Sequence, residues 1–221
     1  MKIVKYNKKN AYTSRFPPSY PNEMMVKIFN ANHYQNIRIK PPEENKILEI
    51  GSSSGNNQRY FIENGFESYG IEINKELVDL GIKNLKRLKV KPVKIKIGTN
   101  TEIPFKNDFF DTLVSINTIH YNYGTEITRA ILEYKRVLKK DGILYMETVG
   151  KNHFAVGKKI RDLCYKSNFK DFRKNHTFGY FDNKSHLKKF LKSYFSKVEV
   201  FERSEKTKIN LHWYIAICKM D

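Results

Sequence analysis

The sequence is short of cysteine, tryptophan, glycine and acidic side chains, and it has no long apolar run. Cys164 and Cys218 are the only cysteines in 221 residues, and no C-x-x-C pair occurs, so neither a disulfide framework nor a cysteine-built zinc site is expected. Both read as reduced packing thiols. No stretch approaches the roughly 18 apolar residues of a membrane-spanning helix, and residues 1–9 lack the apolar core of a signal peptide. A cytoplasmic protein is the expectation. The six histidines show no ligand spacing with Cys or carboxylates, so no metal is expected. A Gly-x-Ser-x-Gly elbow, a Walker loop and a catalytic carboxylate pair are missing too, which removes the hydrolase and nucleotide-hydrolysing classes that rely on them.

Acids number 23 against 41 Lys and Arg, a formal charge of +18. Such a charge points to anionic partners, among which nucleic acid and an anionic membrane surface must be weighed. Only nine of the basic residues are Arg, the side chain suited to bidentate phosphate and base contacts. The excess is concentrated at 151–197, with thirteen Lys or Arg, three Asp and no Glu. That distribution points to an anionic small molecule or to an anionic membrane surface. Aromatics at 14% and hydrophobics at 40% indicate a globular fold.

Strand-like runs at 46–50, 67–72, 93–97, 112–116 and 143–148 alternate with helical patterns at 57–64, 74–88 and 125–138. This alternation predicts parallel crossovers and a doubly wound α/β sheet. Asn22 is placed to cap a helix carrying Met24, Met25, Ile28 and Phe29, and Ser185 to cap a short late helix. Two last strands are expected at 197–202 and 209–218. We read one domain over 1–221: a lead segment 1–44, a core 45–150, and a substrate side with the last strands at 151–221.

The most telling stretch is Ile47-Leu48-Glu49-Ile50-Gly51-Ser52-Ser53-Ser54-Gly55, followed by a helix and by Tyr69-Gly70-Ile71-Glu72. An apolar strand, a Gly/Ser turn, a helix and a second strand ending on an acid form a nucleoside-binding unit, the acid being placed for ribose hydroxyls. A dinucleotide fingerprint needs a middle Gly where Ser53 stands, so a pyrophosphate ligand is disfavoured. Three further motifs come after it in order: Gly98-Thr99-Asn100-Thr101-Glu102-Ile103-Pro104-Phe105, Phe110-Asp111 with the strand after it, and Arg136-Val137-Leu138-Lys139-Lys140-Asp141-Gly142. A lead Arg15-Phe16-Pro17-Pro18-Ser19-Tyr20-Pro21 precedes them.

Together these motifs resemble the class I S-adenosylmethionine-dependent methyltransferases, in particular their type 11, small-molecule subgroup. The resemblance implies a Rossmann-like, seven-stranded, mostly parallel sheet with an antiparallel last strand. It also implies S-adenosyl-L-methionine as cofactor and a small, possibly anionic, metabolite as methyl acceptor. By resemblance Glu49, Gly51, Ser52, Ser53 and Gly55 hold the methionine end, Glu72 the ribose, Ile73 with Thr99 and Asn100 the adenine, and Asn117 closes the site. His120 and Tyr121, just past the fourth strand, are the catalytic candidates. Tyr12, Arg15 and Tyr20 from the lead, and His153, Phe154, His176 and Tyr180 from the basic stretch, are the acceptor-side candidates. The chain departs from the family at Ser53, at Asp141, which a turn tolerates, and at Thr99, a neutral residue where an acid usually receives the adenine amino group; a weaker bond is expected there. An RNA or tRNA methyltransferase and a non-catalytic cofactor-binding partner subunit are the alternatives, and the Asn-Pro-Pro-Tyr signature of planar amine methylation is absent: the chain reads Asn117-Thr118-Ile119-His120.

Overall fold

The computed structural model describes residues 20–31, 36–87, 89 and 94–221. Seven strands form one sheet in the order β3-β2-β1-β4-β5-β10-β9. They are β1 (Lys46–Ile50), β2 (Glu67–Glu72), β3 (Lys94–Ile97), β4 (Phe110–Ile116), β5 (Leu138–Val149), β9 (Lys197–Lys206) and β10 (Asn210–Lys219). The first five run parallel, whereas β10 is antiparallel to both β5 and β9. This is the expected Rossmann-like sheet. Strand order reverses between β1 and β4, so their carboxyl ends frame the crevice where open α/β sheets bind ligands.

Side chains alternate across the sheet, and each face buries its own helices. Ile47, Val114, Tyr145 and Ile215 pack with Met25 and Ile28 of α1 (Glu23–Asn30) and Phe61 of α2 (Asn56–Glu63). Leu48, Leu113, Leu144 and Met146 pack with Ile127, Ile131 and Tyr134 of α4 (Thr125–Val137) and Leu187 and Leu191 of α5 (Lys184–Lys192). Helix α3 (Lys75–Arg87) sets Val78 and Leu85 on Ile95 of β3. Asn74 caps α3 by accepting from the Leu77 amide at 3.0 Å, and Asn22 caps α1 by accepting from the Met25 amide at 2.8 Å.

One local expectation needs correction. Asn183, not Ser185, caps α5: its backbone is extended and its Oδ1 accepts from the His186 amide at 2.8 Å. Both residue types can cap, and the extended backbone two residues earlier decides between them. The basic stretch at 152–182 forms a small antiparallel sheet of β6 (Val156–Arg161), β7 (Cys164–Ser167) and β8 (Thr177–Phe178), for which the sequence pattern placed no strand. Cys164 and Cys218 are both buried and unbridged, as expected.

The motif residues Asp111 and Arg136 are fasteners rather than ligands. Asp111, buried at the start of β4, accepts from the Lys46 amide and the Lys40 and Lys139 ammonium groups. Arg136 donates to the carbonyls of Ile103 and Phe105, holding the turn after β3 against α4. No helix among the described residues is long and apolar enough to cross a membrane.

Candidate active site

The Gly/Ser loop leaves β1 and hangs on β2: the amides of Gly51 and Ser52 both donate to the Ile71 carbonyl at 3.0 Å. Gly51 lies at φ +71, and a Cβ there would stand 2.4 Å from the Thr118 methyl carbon, so β1 and β4 can meet only across a glycine. Helix α3 closes on the loop at Gly81, whose missing Cβ would come within 2.8 Å of the Ser53 carbonyl oxygen. Ser53 itself takes a left-handed backbone, φ 45, which costs a non-glycine residue about 1 kcal/mol.

Three carboxylates are buried at this carboxyl edge, Glu49 and Glu147 at 3% exposure and Glu72 at 7%. Each is held by neutral donors. Glu49 accepts from Asn57 Nδ2 at 2.7 Å and Gln58 Nε2 at 3.0 Å. Glu72 accepts from the Ser53 amide at 2.8 Å and the Ile73 amide at 3.0 Å. Glu147 accepts from Asn22 Nδ2 at 2.8 Å and the Tyr145 hydroxyl at 3.3 Å. The Asn22 amide donates to Asn57 Oδ1 at 2.8 Å, so Glu147, Asn22, Asn57 and Glu49 form one chain linking β5, the start of α1, α2 and β1. Burial raises all three acids, Glu49 to about 7, with repulsion from Glu72 adding to the rise and the Gln58 and Asn57 amides opposing it.

At the end of β4, Asn117 has φ 54 and its backbone amide donates to the Glu147 carbonyl, while its buried Oδ1 has no partner among the described residues. Ser52 Oγ and Thr148 Oγ1, at the ends of β1 and β5, are likewise buried and unpartnered among the described residues. Ile73 is 38% exposed beside Glu72, as a residue facing a flat ligand would be. Thr99 is exposed. The Asn100 amide is consumed inwardly, donating to the Thr118 carbonyl at 3.3 Å and accepting from the Tyr134 hydroxyl, which leaves Thr99 as the better placed of the two for a ligand.

Past β4 a 3-10 turn, Ile119–Tyr121, carries His120 and Tyr121 under the small sheet. The His120 ring lies 4.6 Å from Tyr121, 5.9 Å from Tyr180 and 6.1 Å from Phe178, centroid to centroid. Burial holds His120 down at about 3, with the charges of His153 and Arg173 adding to the effect. It is therefore a neutral imidazole. Among the described residues its Nδ1 and the Tyr180 hydroxyl, both buried, have no partner.

His153 and Phe154 adjoin this cluster through Phe169, which contacts Phe154 at 5.6 Å and Phe178 at 6.1 Å. Burial lowers His153 to about 4, and its Nδ1 accepts from the Ala155 amide. His176 stands apart, its Nδ1 3.3 Å from the Lys174 carbonyl oxygen. Tyr20 is 83% exposed. Tyr12 and Arg15 lie outside the described residues.

Sequence reasoning missed Asn57, Gln58 and Glu147 as site residues. For Glu147 a signal existed: it is the lone acid in the apolar run from Ile143 to Val149. The two amides on α2 gave none.

Against known proteins, residues 48–146 match the family model described as a methyltransferase domain. That span runs from β1 into β5 and contains the loop, Glu72 and His120. Residues 48–146 are a methyltransferase domain. An uncharacterized methyltransferase of Bacillus subtilis is 29% identical over 119 residues, covering 52% of this chain and 46% of that protein. The chain spans about half the length of the curated relatives it matches. Among solved structures, a SAM-dependent methyltransferase from Methanosarcina mazei has the same fold (TM-score 0.67, 17% identity, 91% of this chain and 98% of that chain). So does the Burkholderia thailandensis 1,6-didemethyltoxoflavin N1-methyltransferase, solved with 1,6-didemethyltoxoflavin and S-adenosylhomocysteine (TM-score 0.59, 13% identity, 80% and 72%). The methyltransferase fold thus extends beyond the matched span to β9 and β10.

Proposed function

We propose that this methyltransferase domain transfers a methyl group from S-adenosylmethionine to a small-molecule acceptor bound beneath the small sheet. The observation that carries the reading is the trio Glu49, Glu72 and Glu147. In a chain with 41 basic side chains, these buried acids make no ion pair among the described residues. Buried charge persists where it is paired. A ligand bearing an ammonium and a sulfonium supplies the missing positive charge, whereas a pyrophosphate would be repelled. The residues present therefore fit S-adenosylmethionine, which is consumed in each turnover and is a substrate rather than a resident group.

Glu72 is suited to the ribose hydroxyls, and Ile73 and Thr99 to the adenine. Glu49, steadied by Asn57 and Gln58, faces the methionine end with Gly51, Ser52, Ser53 and Gly55. Asn117 closes the crevice with its free Oδ1. Methyl transfer from a sulfonium starts from an activated leaving group, so alignment and exclusion of water supply most of the rate. His120 and Tyr121 stand where the acceptor must sit. A neutral imidazole of such low basicity orients the nucleophile by hydrogen bonding rather than by accepting its proton. The solved neighbour holding 1,6-didemethyltoxoflavin lends support to a small-molecule acceptor; RNA and a catalytically silent role are not favoured. Calorimetric titration with S-adenosylmethionine and S-adenosylhomocysteine tests the proposal. Saturable binding of both is expected, and no heat of binding at millimolar ligand would end it.

A further inference from the structure

Resting on the reading just given, we infer that the acceptor is a planar aromatic or heteroaromatic molecule with an acidic hydroxyl, methylated as its oxyanion. Two polar atoms carry this inference. His120 Nδ1 and the Tyr180 hydroxyl are buried and, among the described residues, unpartnered, on rings 5.9 Å apart and inclined by 33°. A buried polar group left unmet costs about 1–3 kcal/mol. A single oxyanion meets both, since the hydroxyl donates and a neutral imidazole donates in the tautomer protonated at Nδ1. The surroundings are aromatic: Tyr121 and Phe178 in contact at 5.2 Å, and Tyr165 at 5.7 Å from Tyr180. A flat ring fits such walls.

The charge of the site also favours an anion. The Arg173 guanidinium lies 3.4 Å from the Phe169 ring centroid, one ring removed from Phe178. Its field reaches His120, His153 and Tyr180, stabilising the less positive or more negative form of each. Asp171 pairs with Arg173 at Nη2 but is more exposed, 43% against 23%, and cancels that field only in part. Among the described residues His153 and Arg173 are the charged or titratable groups that act on His120, with the phenols of Tyr121 and Tyr180 beside it, and no carboxylate contributes.

Proton balance favours the same acceptor. His120 is too weak a base to take a proton from a neutral hydroxyl. A neutral amine would become a cation on methylation, next to Arg173 and a sulfonium. An acidic hydroxyl instead loses its proton to solvent before binding. The oxygen lone pair then forms the new O–C bond, and the S–C bond breaks with its electron pair left on sulfur. Positive donor and negative acceptor become two neutral groups, and no proton is released inside the site.

The probe is 4-nitrophenol, whose anion alone is coloured. Titrated with pH in the presence of saturating protein and S-adenosylhomocysteine, it should ionise about one pH unit lower than when free. Arg173→Gln should abolish the displacement, and Tyr180→Phe should weaken nitrophenolate binding roughly tenfold while S-adenosylhomocysteine still binds. With labelled donor, 4-nitrophenol and 8-hydroxyquinoline should be methylated on oxygen and benzylamine should not. The pH at which the rate rises should move with the phenol used. Bound nitrophenol ionising at higher pH than free, no nitrophenolate binding, methylation of benzylamine in place of the phenols, or one pH profile for all phenols each overturns the inference. Loss of S-adenosylhomocysteine binding in the unaltered protein is a different failure: it removes the methyltransferase reading itself, and this inference with it.

Discussion

Affinity for the methyl donor should climb with pH up to neutrality, and Glu49 should be responsible. Burial holds this acid at about 7 against its ordinary 4.5, with Glu72 adding repulsion and two amide donors opposing. At pH 6 only about a tenth of it is ionised in the free protein. A cationic donor prefers the carboxylate, so below pH 7 binding must expel a proton. The cost is about tenfold in affinity per pH unit, vanishing above 7. Calorimetry with S-adenosylmethionine across pH 5.5 to 8, in two buffers of different ionisation heat, measures both quantities. Close to one proton released per ligand is expected near pH 6 and close to none near pH 8, and Glu49→Gln should flatten the profile. A flat wild-type profile, or a glutamine variant that keeps the slope, would refute the assignment. On stability the same acid acts with the opposite sign. The unliganded fold binds the proton more tightly than the unfolded chain, so stability should fall, by at most about 3 kcal/mol, as pH rises from 4.5 to about 7.

Glu72→Ala should weaken donor binding by roughly 10- to 100-fold, the worth of hydrogen bonds to a charged group, and unchanged affinity in the titration would remove the ribose role. Gly51→Ala forces a Cβ to 2.4 Å from the Thr118 methyl carbon at positive φ and should cost about 2 kcal/mol in urea unfolding, part of it recovered by adding Thr118→Ser; no recovery would show that backbone strain dominates over the clash. Asn22→Ala removes the α1 cap and the closer of the two donors to Glu147, so a loss of about 2–3 kcal/mol is expected, against about 1 for a cap alone. Asn183→Ala should cost about 1 kcal/mol and Ser185→Ala under about 0.5; the reverse order would return the cap to Ser185.

The elements legible in the sequence are those whose signal is local. Strands β1 and β2 lie where alternation with helices puts them, and Asn74 caps α3 because an Asn before an amphipathic run satisfies its first amides wherever the helix goes. The α5 cap is not legible in this way because Asn183 and Ser185 carry nearly equal local signals, and the choice depends on how the chain leaves Tyr180 and Phe181, which the core buries completely or nearly so. The small sheet at 156–178 is hidden for a related reason. Its strands are short, strand β6 is largely exposed, and no alternation marks it.

For the site, spacing alone placed the Gly51 loop and Glu72 together, since a strand–turn–helix–strand unit fixes its own geometry over some 25 residues, whereas Asn117 came from the family resemblance. Spacing also put His120 just beyond β4. What only the tertiary structure decided are encounters between distant segments: Asn22 bridging Glu147 and Asn57, Tyr180 arriving beside His120, and Arg173 projecting its charge onto both histidines. Burial decided the chemistry as well. In sequence Glu49 and His120 are an ordinary acid and an ordinary imidazole; desolvation in the folded chain makes one a group that titrates near neutrality and the other a neutral hydrogen-bonding ring.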